Sequence, residues 1–286
     1  MRQNFTNKLS ANISRFSNPI CFGMDPVLDL IPCEGSGAEK VKRFYLDILE
    51  EMLRRNVKPA AIKPNSAYYE SISIDAIKVL QELITAYESE GILSILDAKR
   101  GDIGKSSTAY AQAAFDVFGA SAVTVSPWMG ADSVQPFLQN SGKGVFVLLR
   151  TSNIGAADFQ DLNIGDGEQA FHAVANKLLE WNNGDLGAVV GATNPTELER
   201  ITVFFVKQNS EIPFLIPGVS IPGVPGQQGG DAHTVMQALR AGGSKRNIHL
   251  LNSSSGLSYA WQVKGKADLY ASATVDALER LCESIL

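Results

Sequence analysis

Short apolar runs rich in β-branched residues alternate along the chain with longer runs whose apolar positions recur every three to four residues. The short runs are Pro19 to Met24, Ala60 to Lys63, Ile92 to Asp97, Ala122 to Ser126, Gly144 to Leu149, Leu186 to Val190, Phe214 to Pro217 and Ile248 to Asn252. Each has the length and continuous hydrophobicity of a strand buried on both faces of a parallel sheet. Between them, Ala38 to Arg55 sets Val41, Phe44, Tyr45, Ile48, Leu49 and Met52 on one helical face. Ile74 to Glu90, Lys105 to Phe118, Gln169 to Trp181, Pro195 to Gln208, Ala232 to Leu239 and Ser272 to Leu286 predict helices in the same way. Alternating strands and helices imply a parallel sheet. About eight such units in 286 residues favour a closed (β/α)8 barrel, the TIM-barrel architecture, over an open doubly wound sheet. No linker or repeat divides the chain, so a single barrel domain over residues 1–286 is expected. A leading helix over about residues 5–16 should cover the barrel floor. The Gly- and Pro-rich stretch from Gly218 to Gly230 lies inside the pattern and reads as a functional loop.

Composition narrows the partners. Hydrophobic residues make up 45% and charged residues 19%, a balance that supports a sizeable core. The formal charge of -5 disfavours nucleic acid and anionic lipid, although a local group of lysines can still hold a small anion. No stretch approaches the roughly 20 apolar residues of a membrane span. The first 17 residues lack the apolar run of a signal peptide. Cys21, Cys33 and Cys282 are too few and too scattered for a disulfide framework and fit a reducing cytoplasm. His172, His233 and His249 show no ligand spacing, so no metal site is expected.

Barrels of this kind carry their chemistry at the C-terminal strand ends. There the first strand runs into Asp25, the second ends in Lys63, and the third carries Asp97 and Lys99. Strand alternation predicts that Asp97 and Lys99 point the same way, into the barrel mouth. Gly101 permits a sharp exit, and Asp102 follows beside the next helix. The plainer alternative is a rim salt-bridge network with a snorkelling Lys63. Four charges grouped on the functional face point instead to a site.

The segment Asp97-Ala98-Lys99-Arg100-Gly101-Asp102-Ile103-Gly104 resembles the signature of the orotidine 5′-phosphate decarboxylases, in the spelling of the bacterial subgroup with longer chains. Five further stretches agree in order and spacing: Phe22-Gly23-Met24-Asp25-Pro26, Ile62-Lys63-Pro64-Asn65, Val125-Ser126-Pro127, Leu149-Arg150-Thr151-Ser152-Asn153 and Pro217-Gly218-Val219. The resemblance runs from Phe22 to Ala260. It implies decarboxylation of orotidine 5′-phosphate to uridine 5′-phosphate, the last step of de novo UMP synthesis, with no metal and no cofactor. It further implies a homodimer with shared active sites. In that family Asp25 and Lys63 would hold ribose hydroxyls, and Lys63 would also anchor the charge network. Asp97 would lie against the substrate carboxylate, and Lys99 would give a proton to C6. Asp102, Ile103 and Ser106 would come from the partner subunit. Ser152 would read the pyrimidine edge, and Gln228 would close over the phosphate.

Two positions depart from the family pattern. Ser255, in Asn252-Ser253-Ser254-Ser255-Gly256, stands where a phosphate-gripping Arg is expected. A hydroxyl brings neither the charge nor the fork of a guanidinium. Lys245 and Arg246 are the nearest basic residues before that strand, but they precede it and belong to the wrong end. Ile154 replaces an expected Pro. Two other functions compete: a metal-dependent sugar-phosphate lyase on the same barrel, and a catalytically weak nucleotide-binding protein. The first would need a further carboxylate near Asp97, where Lys63 stands instead. The second gains nothing from a buried charge array.

Overall fold

Residues 3–222 and 229–285 are described by the structure, a computed structural model. Among them, eight parallel strands close a barrel in chain order: β1 (Ile20–Met24), β2 (Ala61–Pro64), β3 (Leu93–Arg100), β4 (Ala122–Val125), β5 (Gly144–Arg150), β6 (Leu186–Val190), β7 (Phe214–Pro217) and β8 (Leu250–Ser253). β8 pairs with β1 through Ile20 and Leu251, Cys21 and Asn252, and Phe22 and Ser253. The strands are mostly apolar, with polar residues toward their C-terminal ends, because helices cover the sheet outside and side chains fill it inside.

Helix α1 (Phe5–Phe16) precedes the barrel. Its Phe5, Leu9 and Ile13 pack into one buried cluster with Cys21, Ala61, Ile95, Ala122, Phe146, Val189, Leu215 and Leu250. That set takes one inward residue from each strand and forms the lowest layer of the barrel interior. Asn12 donates from Nδ2 to the carbonyl of Ala60 at 2.6 Å, and the Phe5 amide donates to Asp185 at 2.6 Å. Both acceptors stand just before their strands, so α1 seals the N-terminal end. A Cβ on Gly144 would meet the Phe5 ring at 2.6 Å, so this close approach of ring and strand requires glycine.

The outer helices follow the predicted runs: α2 (Gly37–Arg55), α4 (Ile74–Ser89), α5 (Gly104–Gln112), α7 (Ala170–Trp181), α8 (Pro195–Lys207), α9 (Ala232–Ala241) and α12 (Tyr270–Glu283). The run over Lys105–Phe118 is not one α-helix; it widens into a π turn over Ala113–Val117. Among the helices that fall where no element is predicted are α3 (Ser66–Ile72) and α6 (Ala131–Leu138). α3 is only 7 residues long. α6 carries Pro136 inside it, which pattern reading takes as a breaker. Beyond β8 come the short helices α10 (Ser255–Ser258) and α11 (Trp261–Lys264). No helix among the described residues is long and apolar enough to cross a membrane.

Candidate functional site

Two residues above the lowest inward layer, the same alternation brings Lys63, Asp97 and Thr124 into the barrel from β2, β3 and β4. All three are buried. Lys63 Nζ donates to Asp97 Oδ2 at 2.6 Å. Lys99 Nζ donates to the other oxygen, Oδ1, at 2.7 Å. The Thr124 hydroxyl donates to Oδ1 at 2.9 Å and accepts the backbone N–H of Lys99 at 2.9 Å.

Lys99 does not reach Asp97 by regular alternation. The β3–β4 register breaks between Leu96 and Arg100, and Lys99 sits at φ 45°, in the left-handed region. The strand therefore kinks at Lys99, whose side chain is about half exposed at 49% and faces the mouth. Asp97 is a buried carboxylate held between two cations.

The electrostatics follow from this placement. Burial pushes the Asp97 carboxyl up, but Lys63 and Lys99 outweigh it and hold the group well below the carboxylate range. Burial by itself would lower the Lys63 ammonium; Asp97 and then Asp25 override it and hold it above the usual lysine value. Both groups are charged at neutral pH. Cys21, beneath them in the barrel, is pushed up to about 12 by burial and is an inert thiol.

Asp25 leaves β1 half-buried, and its Oδ1 is buried without a hydrogen-bond partner. Tyr259 fixes this turn: its hydroxyl donates to the Asp25 carbonyl at 3.0 Å and accepts the Val27 N–H at 2.7 Å. Asn252 of β8 is also buried, with Oδ1 unpartnered. Unpaired buried acceptors of this kind suit hydroxyl or N–H donors of a ligand.

The remaining sequence candidates sit around the rim. Asp102 Oδ1 accepts the N–H of Ile103 at 2.8 Å, and among the described residues Asp102 forms no ion pair with Lys63 or Lys99. Ile103 and Ser106 are exposed at the start of α5. Ser152 is exposed in the loop after β5 and packs so closely on Gly191 that a Cβ there would lie 2.7 Å away. Arg150 steadies this loop through ion pairs of 2.9 Å to both Glu197 and Asp161. Ser255 is exposed at the first residue of α10, just past β8. Gln228 lies outside the described residues. Lys245 and Arg246 line a separate cavity at the opposite end of the barrel with Pro19 and His249. Ile154 is 97% exposed in a 3-10 turn.

Sequence reasoning missed Thr124, Tyr259 and Asn252. A threonine in a β-branched strand reads as ordinary strand composition, and only its inward register marks Thr124. Among the described residues, no group of three or more His, Cys, Asp or Glu side chains could hold a metal ion.

Residues 44–249 match the family described as orotidine 5′-phosphate decarboxylase / HUMPS. The chain is 37% identical to the orotidine 5′-phosphate decarboxylase of Natronomonas pharaonis, across 97% of this chain and 96% of that protein. It superposes on the OMP decarboxylase of Leishmania donovani with a TM-score of 0.76 at 32% identity, covering 99% and 97% of the two chains. The Leishmania donovani UMP synthase matches with a TM-score of 0.79 at 36% identity; 99% of this chain spans 56% of that longer one.

Proposed function

The chain belongs to the orotidine 5′-phosphate decarboxylase family and is a carbon–carbon lyase of UMP synthesis, and from that membership we propose how its residues carry the reaction. The bond between C6 of the pyrimidine and its carboxylate breaks, the electron pair stays on C6, and CO2 leaves. Lys99 Nζ then transfers a proton to C6, giving uridine 5′-phosphate, and regains a proton from solvent. The observation that carries this is the pair of cations on one buried carboxylate, with Lys99 Nζ 2.7 Å from Asp97 and still open to the mouth. A carbanion at C6 has no good resonance acceptor in the ring, so stabilisation must come from fixed charge, and an aimed ammonium supplies it. The same ammonium is the general acid. Asp97 stands where the substrate carboxylate would approach, so their repulsion is relieved as CO2 departs; this effect ranks second.

Lys63 keeps Asp97 ionised and Lys99 aimed. Asp25, with its unpartnered Oδ1, accepts a ribose hydroxyl. Ser152 reads the pyrimidine edge. Ser255 serves the phosphate, to which family membership also assigns Gln228, and the binding energy of that group organises the site without entering the chemistry.

The working unit is a homodimer in which Asp102, Ile103 and Ser106 complete the partner's site. The lack of an ion pair between Asp102 and its own Lys99 supports this arrangement. So do Ile103, Trp128, Met129 and Phe159, 46–77% exposed on the same rim. Apolar side chains grouped in this way suit a covering subunit. A cytoplasmic setting fits the three free cysteines.

Turnover of orotidine 5′-phosphate in the presence of EDTA tests the assignment. Activity should persist, because Asp97 already carries two ammonium partners and offers a cation little. Activity lost in EDTA and restored by Mg2+ would move the chain to metal-dependent lyase chemistry. Binding without turnover would leave only a nucleotide-binding role.

A further inference from the structure

Lys99 presents two problems that its own strand does not solve. Its backbone lies at φ 45°, a region costly for any side chain with a Cβ. The register break between Leu96 and Arg100 also takes its N–H out of the β3–β4 ladder. A buried N–H without a partner is rare. Thr124 answers both at once. Its Oγ1 accepts the Lys99 N–H at 2.9 Å, and its hydroxyl hydrogen goes to Asp97 Oδ1 at 2.9 Å, the same oxygen that holds Lys99 Nζ.

We propose that Thr124 is a positioning residue for Lys99, fixing the kinked backbone at one end of the lysine and the carboxylate that aims its ammonium at the other. The functional part of this proposal rests on the decarboxylase role given to Lys99 above. Thr124 is fully buried, and among the described residues its hydroxyl's hydrogen bonds go to these two partners. The residue type is well chosen. Valine would keep the strand preference and the shape but remove both hydrogen bonds; serine would keep the hydroxyl on a freer χ1.

The test compares wild type, Thr124→Val and Thr124→Ser. For Thr124→Val, kcat for orotidine 5′-phosphate should fall on the order of ten- to a hundredfold, while KM stays within about threefold. The groups that bind ribose and phosphate are untouched, so KM is the control against general damage. Thr124→Ser should recover most of the lost turnover. A Thr124→Val enzyme with wild-type kcat, or a serine variant as impaired as the valine one, overturns the proposal. A crystal structure of Thr124→Val gives a second readout that needs no activity. There Lys99 should leave its positive φ or its ammonium should leave Asp97 Oδ1; if both stay as in wild type, the proposal is wrong. Should the wild-type enzyme itself fail to decarboxylate, the functional assignment falls, and the crystal structure still decides whether Thr124 positions Lys99.

Discussion

Lys63 Nζ stands 2.6 Å from Oδ2 of Asp97, and neither side chain is more than 7% exposed. Breaking a buried pair strands a charge, which costs about 3–5 kcal/mol when nothing else compensates. Lys99 remains on Oδ1, so Lys63→Met should fall toward the lower end of that range in urea unfolding. The double variant Lys63→Met/Asp97→Leu should regain much of the loss, because no orphaned charge remains. A double variant as unstable as the sum of the single ones would mean the two residues are not coupled. The sign of the pH dependence follows from both directions. The depressed Asp97 contributes fully above the ordinary carboxylate value of 3.8 and is lost as acid takes the pH below it. The raised Lys63 contributes fully below 10.5 and is lost as the pH climbs through its folded value. Between these limits the pair's contribution should be flat.

Lys99→Ala separates chemistry from stability. Lys99 is half exposed and Lys63 still neutralises Asp97, so the barrel should survive with its melting temperature little changed. Turnover should fall at least a hundredfold, within the roughly 10²–10⁴-fold typical of acid–base groups. A variant keeping more than about a hundredth of wild-type turnover removes Lys99 from the role of general acid.

Much of this was legible in the chain because the signals were repeated. Eight buried runs separated by amphipathic helices define a barrel even when boundaries are off by one to three residues, as at Ile248 against the observed Leu250 and Asp97 against the observed Arg100. Lys63, Asp97 and Lys99 stood out because a charge at the end of an apolar run is costly unless it is used. The parts that stayed hidden depend on geometry. The direction of Lys99 was expected from alternation, but a kink at φ 45° produces it. Thr124 became visible only when the register of β4 set it inward. α3 and α6 are too short, and α6 too interrupted by Pro136, for periodicity to reveal them.

At the floor of the barrel, His249 predicts an acid limit to stability. Its Nδ1 accepts the Phe214 N–H at 3.1 Å, and its Nε2 lies 3.3 Å from Glu211. Burial lowers the imidazole below its ordinary value of 6.5, although Glu211 opposes the shift. A protonated ring would point an N–H at the Phe214 amide. Folding therefore favours the neutral ring, so its contribution is fully present above pH 6.5 and declines as the pH falls toward the folded value. Glu211, also lowered, loses stability in the same direction below 4.5. Urea midpoints measured from pH 8 to pH 5 should decline for wild type, and His249→Asn should flatten the part between pH 7 and pH 5. An equal decline in both proteins would place the sensitive group elsewhere.

The proposed shared-site dimer predicts complementation. Lys99→Ala and Asp102→Ala should each be inactive as homodimers. In a mixed heterodimer, one site would draw Lys99 and Asp102 from the two unmutated positions, so about a quarter of wild-type activity should return when half the dimers are mixed. Native mass spectrometry would establish that exchange has occurred. Exchanged subunits that stay inactive would mean each site is built from one chain.

The proposed role of Ser255 at the phosphate allows a gain-of-function test. Ser255 opens α10 directly after β8, at the mouth, and its side chain is exposed. Its neighbour Ser254 is not available for the role: its Oγ lies so close to β1 that a Cβ on Gly23 would meet it at 1.9 Å. Lys245 and Arg246 are at the far end of the barrel, which removes the nearest basic residues before β8. An arginine at position 255 would have room to extend, and an Arg–phosphate pair is charge-assisted and often bidentate. Hydrogen bonds to charged groups contribute about 1.5–3 kcal/mol, so Ser255→Arg should raise kcat/KM for orotidine 5′-phosphate by about one to two decades. The gain should vanish with orotidine, which lacks the phosphate. Equal effects on both substrates would put Ser255 away from the phosphate. No effect on either would mean that another group already fills the role, and uridine 5′-phosphate bound in a crystal would identify it by contact.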